Sequence, residues 1–277
     1  MFLLIYMYIL YTNTFKSLYL YTKIYFFFMS ENTTNSFNGN IKTPSLTPSA
    51  AKRKRGFGYW LKYAFRVVFY AHILFILVIA FITILYINHN PPYTVLMLYR
   101  QGKAAQTPSH LPLRETSGTF QLDLINLEDG QFRKHYGIDT EAIKEAKRKN
   151  DKLGYRAYGG STITQQLART LFLIPQKSYF RKYLELLITF ELELILQKDR
   201  ILELYINYAE LGDGVYGFND AALHYYKKSF VKTTTDEKIR LMTILASPIN
   251  YNPTTFKENS ALAGRYKFIY KWHKYHL

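Results

Sequence analysis

A long apolar run covers residues 67–87 and reads VVFYAHILFILVIAFITILYI. It contains no charged residue, and at about 1.5 Å of rise per residue it is long enough to cross a hydrocarbon layer of roughly 30 Å. A buried helix of a soluble domain is the alternative, but such helices seldom run this long without a polar face. The pattern therefore predicts a transmembrane anchor over residues 67–87.

The two flanks of this span differ in charge. Six Lys or Arg residues lie between residues 52 and 66, whereas residues 88–99 carry no positive charge. The positive-inside rule then makes residues 1–66 a cytoplasmic tail and residues 93–277 an extracytoplasmic domain. The basic cluster at residues 52–55 could instead be a nucleic-acid patch, but its place close before the span favours the topological role. No small-residue cleavage site follows the span, which indicates a retained anchor.

Residues 1–28 are rich in Tyr, Phe, Leu and Ile, but Lys16, Lys23 and the polar residues 12–14 interrupt them. A second membrane segment is one interpretation. We favour the hypothesis that this stretch is an over-extended gene model and that translation begins at Met29, which opens a polar tail typical of a disordered N-terminus. N-terminal sequencing of the native protein distinguishes the two starts.

Helical periodicity dominates residues 93–277. The spacing of apolar positions predicts six helices, over residues 140–150, 162–172, 179–197, 199–208, 220–228 and 236–245. Thr162 and Gln165 resemble a capping box at the start of the second helix. Strand-like alternation is weak and is confined to pieces such as residues 119–124. The domain is therefore predicted to be mainly α.

Composition narrows the function classes. The 277 residues include 36 Lys and Arg against 20 Asp and Glu, a formal net charge of +16, and they contain no cysteine. The charge suggests an anionic partner, such as nucleic acid, a lipid surface or a phosphorylated substrate. The absence of cysteine excludes disulfides, thiolate metal sites and cysteine nucleophiles.

Residues 128–139 are the first of three segments with catalytic chemistry. If Glu128 begins a helix, then Phe132 and His135 share a face with it. A carboxylate beside an aromatic ring and an imidazole could serve as a general base. The alternative, which the residues alone favour, is an acid that caps a helix start and a structural histidine.

Residues 159–173 are the second segment. Gly159 and Gly160 lead into Ser161, Thr162 and a helix, so free backbone N–H groups and hydroxyls could bind a phosphate. Ordinary turn-and-cap chemistry is the alternative, and the Gly-Lys-Ser/Thr ending of a Walker A loop is missing.

Residues 177–207 are the third segment. Glu185 lies on an otherwise apolar helical stripe, with Arg181 and Lys182 one turn before it. A buried acid must be paired or functional. A structural salt bridge to these two cations and a functional carboxylate are equally compatible with the pattern.

Together the segments resemble the peptidoglycan glycosyltransferase family, specifically its monofunctional, membrane-anchored biosynthetic transglycosylases. The matching positions fall into three motifs, namely Glu128, Asp129, Phe132, His135, Gly137 and Asp139, then Gly159, Gly160, Ser161, Thr162, Thr164, Gln165 and Gln166, then Arg181, Lys182 and Glu185. Weaker matches follow over residues 209–229 and 237–248. The Gly-Asp-Gly-Val of the fourth motif and the chain's end at Leu277 point to the monofunctional group.

The resemblance implies a lysozyme-like, mainly α catalytic lobe with a smaller membrane-proximal lobe, preceded by one transmembrane helix. It also implies an inverting transferase that polymerises lipid II into β-1,4-linked glycan and releases undecaprenyl diphosphate during cell-wall synthesis. The expected location is the bacterial inner membrane, with the N-terminus in the cytoplasm and the catalytic domain in the periplasm.

The resemblance also implies roles for individual residues. Glu128 would be the general base for the 4-hydroxyl of lipid II, and Glu185 a second essential acid near the leaving pyrophosphate. Asp129, Phe132 and His135 would support the base. The residues expected to bind substrate and pyrophosphate are Ser161, Gln165, Gln166, Arg169, Lys177, Arg181 and Lys182.

The expected partners are lipid II, the growing glycan chain and membrane lipids, together with cell-division or elongation proteins, and no nucleic acid. No resident cofactor or metal site is predicted, and a divalent Mg or Mn ion that bridges the pyrophosphate is an open alternative. Two rival functions are disfavoured. A lytic transglycosylase cleaves neutral glycan and would have no use for the four cations expected to bind pyrophosphate. A non-catalytic scaffold would not need both Glu128 and Glu185.

Overall fold

The computed structural model describes residues 57–102, 105–155, 159–255 and 260–275. The predictions for residues 1–28 and for the basic cluster at residues 52–55 lie outside the described residues. The elements that follow one another along the chain are α1 (Phe57–Leu85), α2 (Val95–Gln101), α3 (Gly118–Glu128), α4 (Thr140–Leu153), α5 (Ile163–Phe172), α6 (Tyr179–Ile195), α7 (Lys198–Tyr208), β1 (Glu210–Gly212), β2 (Val215–Tyr216), α8 (Phe218–Tyr226), α9 (Thr235–Ile244) and α10 (Ser260–Tyr275). The predicted mainly α fold is confirmed.

Helix α1 is the apolar helix. Its portion Gly58–Leu85 has the length and the mean hydropathy, 2.8, of a membrane span. Its described side chains are mostly exposed, and only Ile79 and Thr83 among them are buried. The helix begins at Phe57, ten residues before the predicted span. Charged side chains are excluded from a membrane span, but they can lie within a helix, so the helix extends beyond the apolar run.

The chain divides into two compact units, residues 1–72 and residues 73–277. Within the second unit, α5 packs against both α6 and α7. Their inward positions are fully buried apolar side chains, namely Ile163, Leu167, Ile188, Leu192, Ile201 and Leu202. These three helices form the centre of the core and also carry most of the segments that the sequence marks as catalytic.

Polar side chains cap the starts of several helices. The capping box predicted at α5 is present, since the Thr162 and Gln165 side chains each bond the other residue's backbone N–H. Side chains of Ser117, Asp139 and Ser178 cap α3, α4 and α6 in the same way. Each cap satisfies an orphan N–H group and fixes where the following helix begins.

The strand-like interpretation of residues 119–124 is wrong, because these residues lie in α3. The Ser117 cap begins that helix, and Phe120, Leu124 and Ile125 are buried at helical spacing. An alternation over so few residues also occurs on one face of a helix. The sheet found among the described residues is a short antiparallel hairpin formed by β1 and β2. Gly214 lies in the turn between the two strands and has φ +73°.

Candidate active site

Glu128 is the last residue of α3, and its side chain is 10% exposed. The prediction that Glu128 begins a helix shared with Phe132 and His135 is wrong. Asp129 ends the helix as its C-cap, and the chain continues through turns to residue 137, where Gly137 has φ +88°. The carboxylate of Glu128 therefore projects from the end of a helix and not from the middle of one.

Two side chains hold the Glu128 carboxylate. Gln166 Nε2 donates to Oε2 at 3.0 Å, and the guanidinium of Arg265 pairs with Oε1. Tyr205 in turn donates its hydroxyl to Gln166 Oε1 at 3.0 Å, which fixes the orientation of the amide. Burial raises the pKa of Tyr205 well above 10, and the negative charge of Glu128 adds to this shift. The phenol therefore keeps its proton and stays a donor.

Arg265, like Tyr205, is a residue of the site that lies outside the motif positions found in the sequence. It lies on α10, and its Nε also donates to the carbonyl oxygen of Thr243 at 3.1 Å. Its contact with Glu128 joins residues 137 positions apart. An arginine between Gly264 and Tyr266 carries no local signal of such a contact, so pattern reasoning could not find it.

Asp129 fixes the start of α5. Its buried carboxylate accepts the backbone N–H of Ile163 at 3.0 Å and contacts His135 Nε2 at 2.8 Å. Burial raises the pKa of Asp129, although these two hydrogen bonds oppose the shift. Phe132 is fully buried, and Lys198 Nζ lies 4.5 Å from the centre of its ring.

Two N–H groups at the start of α5 are already used. Asp129 accepts the N–H of Ile163, and the Thr162 hydroxyl accepts that of Gln165 at 3.2 Å. A carboxylate at this helix start also opposes a second anion there. These contacts favour the turn-and-cap alternative at this helix start over a phosphate site.

Glu185 is fully buried on α6, and both of its oxygens are paired. Arg181 contacts one oxygen at 2.5 Å, and Lys182 pairs with the other. The salt bridge considered from helical spacing is confirmed. Lys182 also donates to the hydroxyl of Ser161 at 3.4 Å, which connects α6 to the loop before α5.

Three cavities among the described residues bring the remaining predicted residues together. One, of about 750 Å³, is lined by Ser161, Gln165 and Lys182, although the Gln165 amide oxygen is used in the helix cap. A second, about 490 Å³, is lined by Gln166, Arg169, Lys177 and Arg181. A third, about 100 Å³, contains Glu128 and Ser161. Gln166 lines the second cavity and contacts Glu128, so the Glu128 carboxylate lies next to the cationic cavity.

The cavity of about 490 Å³ presents positive charge that is available to a ligand. Within the described part of the chain, no carboxylate pairs with Arg169 or Lys177, while Arg181 is balanced by Glu185. Among the described residues there is no group of three or more His, Asp or Glu side chains that could hold a metal ion, and there is no cysteine. The arrangement suits a carboxylate that takes a proton beside a site for a bound polyphosphate.

Comparison with known proteins agrees with this geometry. The family model described as "Transglycosylase" matches residues 96–272. A Janthinobacterium protein named "Biosynthetic peptidoglycan transglycosylase" is 38% identical over 174 residues, which cover 60% of this chain and 75% of the relative. Proteins of the same name from Paraburkholderia phytofirmans and Azoarcus are 41% and 36% identical over 57% and 67% of this chain, and the matches cover 69% and 83% of those relatives.

Proposed function

The chain belongs to the transglycosylase family, as its motifs predicted, and on that premise we propose that it polymerises lipid II into β-1,4-linked glycan and releases undecaprenyl diphosphate. The observation that carries the proposal is the Glu128 carboxylate, held by Gln166 and Arg265 beside a cavity with unpaired cations. A base next to a polyphosphate site is what transfer from a lipid pyrophosphate requires.

Glu128 is the proposed general base. The 4-hydroxyl of the incoming lipid II sugar gives its proton to Glu128 while its oxygen attacks the anomeric carbon of the growing chain. The glycosidic bond forms with inversion as the bond to the lipid pyrophosphate breaks. Gln166 and Arg265 keep the carboxylate in one orientation, so no reorganisation is needed at the moment of transfer.

Arg169, Lys177 and Arg181 are the proposed ligands of the leaving pyrophosphate. Negative charge develops on that group as the bond breaks, and fixed cations stabilise it. Arginine binds phosphate through a planar fork, whereas lysine acts as a point charge. The buried Glu185 pairs with both Arg181 and Lys182, and we assign it the role of orienting these two cations. Ser161 and Gln165 are assigned positioning roles along the cleft.

Helix α1 is the proposed anchor in the inner membrane, with residues 1–66 in the cytoplasm and residues 93–277 in the periplasm. Anchoring keeps the enzyme beside a substrate whose lipid tail stays in the bilayer, which raises their effective concentration. Cell-division or elongation proteins are the partners expected for such an enzyme.

A divalent Mg or Mn ion that bridges the pyrophosphate stays an open alternative. Among the described residues there is no group of three or more His, Asp or Glu side chains that could hold such an ion. An ion of this kind would be held chiefly by the oxygens of the substrate.

The test uses the full chain in detergent with labelled lipid II, and glycan products are resolved on a gel. Wild type yields polymer and Glu128→Gln yields none, while Glu141→Gln, an exposed carboxylate on α4, behaves as wild type. Polymer at the wild-type level from Glu128→Gln would remove Glu128 as the base. No polymer from wild type, together with cleavage of preformed glycan strands, would replace the proposal with a hydrolase.

A further inference from the structure

One side chain on α7 binds the segment that leaves α1. The guanidinium of Arg200 donates from Nε to the carbonyl oxygen of Tyr86 at 2.8 Å. One terminal nitrogen donates to the carbonyl oxygen of His89 at 2.9 Å and to Asn90 Oδ1 at 2.8 Å. Carbonyls after the last turn of a helix have no partner within the helix, so Arg200 satisfies acceptors that would otherwise need water.

Arg200 is itself held in place. Its second terminal nitrogen pairs with Glu203 one turn later on α7, and its side chain is only 16% exposed. The other carboxylate oxygen of Glu203 accepts the backbone N–H of Leu113 at 2.9 Å. The planar guanidinium thus has four partners in fixed directions, which a lysine could not reproduce.

Two further contacts fasten the same segment. The ring of Tyr86 stacks on that of Phe172, at the end of α5, with centroids 6.1 Å apart. The hydroxyl of Tyr208, at the end of α7, donates to the carbonyl oxygen of Pro91 at 2.5 Å. The segment at residues 86–91 therefore docks onto α5 and α7, the two helices that carry Gln166 and Tyr205.

We propose that Arg200 is a positioning residue that clamps the exit of the anchor to α7 and so sets the height of the active site above the bilayer. The inference rests on the proposed function, because only a substrate held in the membrane has its pyrophosphate at a fixed depth. A freely jointed anchor would let the catalytic unit sample many heights, and only some of them would bring the reacting atoms together.

The activity test compares two substrates. Lipid II with its long prenyl chain is presented in proteoliposomes, and a short-prenyl, water-soluble analogue is presented in detergent. We expect Arg200→Gln to lose about tenfold or more in rate with the first and less than about twofold with the second. Arg200→Lys keeps the charge but loses the fork, and we expect it to show the same selective loss.

One control and two contrary outcomes define the test. Arg148→Gln removes an exposed arginine of α4 and should retain the wild-type ratio of the two rates. Equal losses of Arg200→Gln on both substrates would overturn the clamp in favour of a general effect on folding. Wild type that is inactive on both substrates would instead overturn the proposed function.

A second measurement needs no activity. The chain contains no cysteine, so Lys144→Cys on α4, where the lysine side chain is 71% exposed, labels one site. Electron paramagnetic resonance then gives the distribution of distances from this label to gadolinium-labelled lipid headgroups. We expect a narrow distribution in wild type and a broader one in Arg200→Gln with unchanged secondary structure. Identical distributions would overturn the proposal.

Discussion

Replacement of Arg265 by methionine tests whether α10 takes part in the chemistry of the base. Arg265→Met removes the cation that pairs with Glu128 and keeps an unbranched side chain in its place. Arg265 and Glu128 are 24% and 10% exposed, so the ion pair is largely shielded from water. The hydrogen bond of Arg265 to the Thr243 carbonyl is lost as well.

The magnitude follows from the geometry of the pair. A hydrogen bond between charged groups contributes about 1.5–3 kcal/mol. Without Arg265, Gln166 alone holds the carboxylate, so part of its fixed orientation is lost. At about 1.4 kcal/mol per tenfold change in rate, kcat/KM should fall by about 10- to 100-fold.

The assay is kcat/KM for lipid II polymerisation, which reports lost stabilisation of the transition state. Arg265→Lys retains a cation and should restore most of the rate. His273→Gln is the matched control, because His273 joins α10 to α3 through Asp123 at 2.5 Å and not through Glu128. A methionine variant that keeps the wild-type kcat/KM, or that loses no more than His273→Gln does, would refute this reasoning.

Three further predictions concern stability and positioning. Burial raises the pKa of Glu191 to about 7, above its unfolded value, so stability falls as pH rises from about 4 to 7. Glu191→Gln should remove that slope and add about 1–2 kcal/mol at pH 8 by thermal unfolding. Gly217→Ala places a Cβ 2.4 Å from the carbonyl oxygen of Asn207 at φ +77°, and we expect a loss of about 3 kcal/mol or more in urea titrations. Tyr205→Phe leaves the Gln166 amide oxygen without its donor, so kcat should fall about tenfold with little change in KM; an unchanged kcat would remove Tyr205 from the site.

Local chemistry predicted the parts of the fold that depend on neighbouring residues. The capping box at Thr162 and the pairing of Arg181 and Lys182 with Glu185 each span at most four positions, so helical spacing was enough to find them. The span, the mainly α class and most helix bounds follow from periodicity in the same way.

What the sequence could not show depends on distant contacts. The hydrogen bond from Ile163 to Asp129 joins residues 34 positions apart and uses one of the N–H groups that the local pattern offered to a phosphate. The Arg265 contact spans 137 positions, and no period or motif marks it. The first residues of α3 alternate like a strand, and the cap from Ser117 to the N–H of Phe120 is what makes them the start of a helix.

The place of Arg265 in the chain has a consequence for biogenesis. Glu128 and Gln166 are synthesised well before α10, so the carboxylate can gain its cationic partner only after residue 265 has been synthesised and has reached α3. A nascent chain that lacks α10 therefore has Glu128 without the arginine that pairs with it. Under the proposed function, we expect glycan synthesis to start only once α10 has been synthesised.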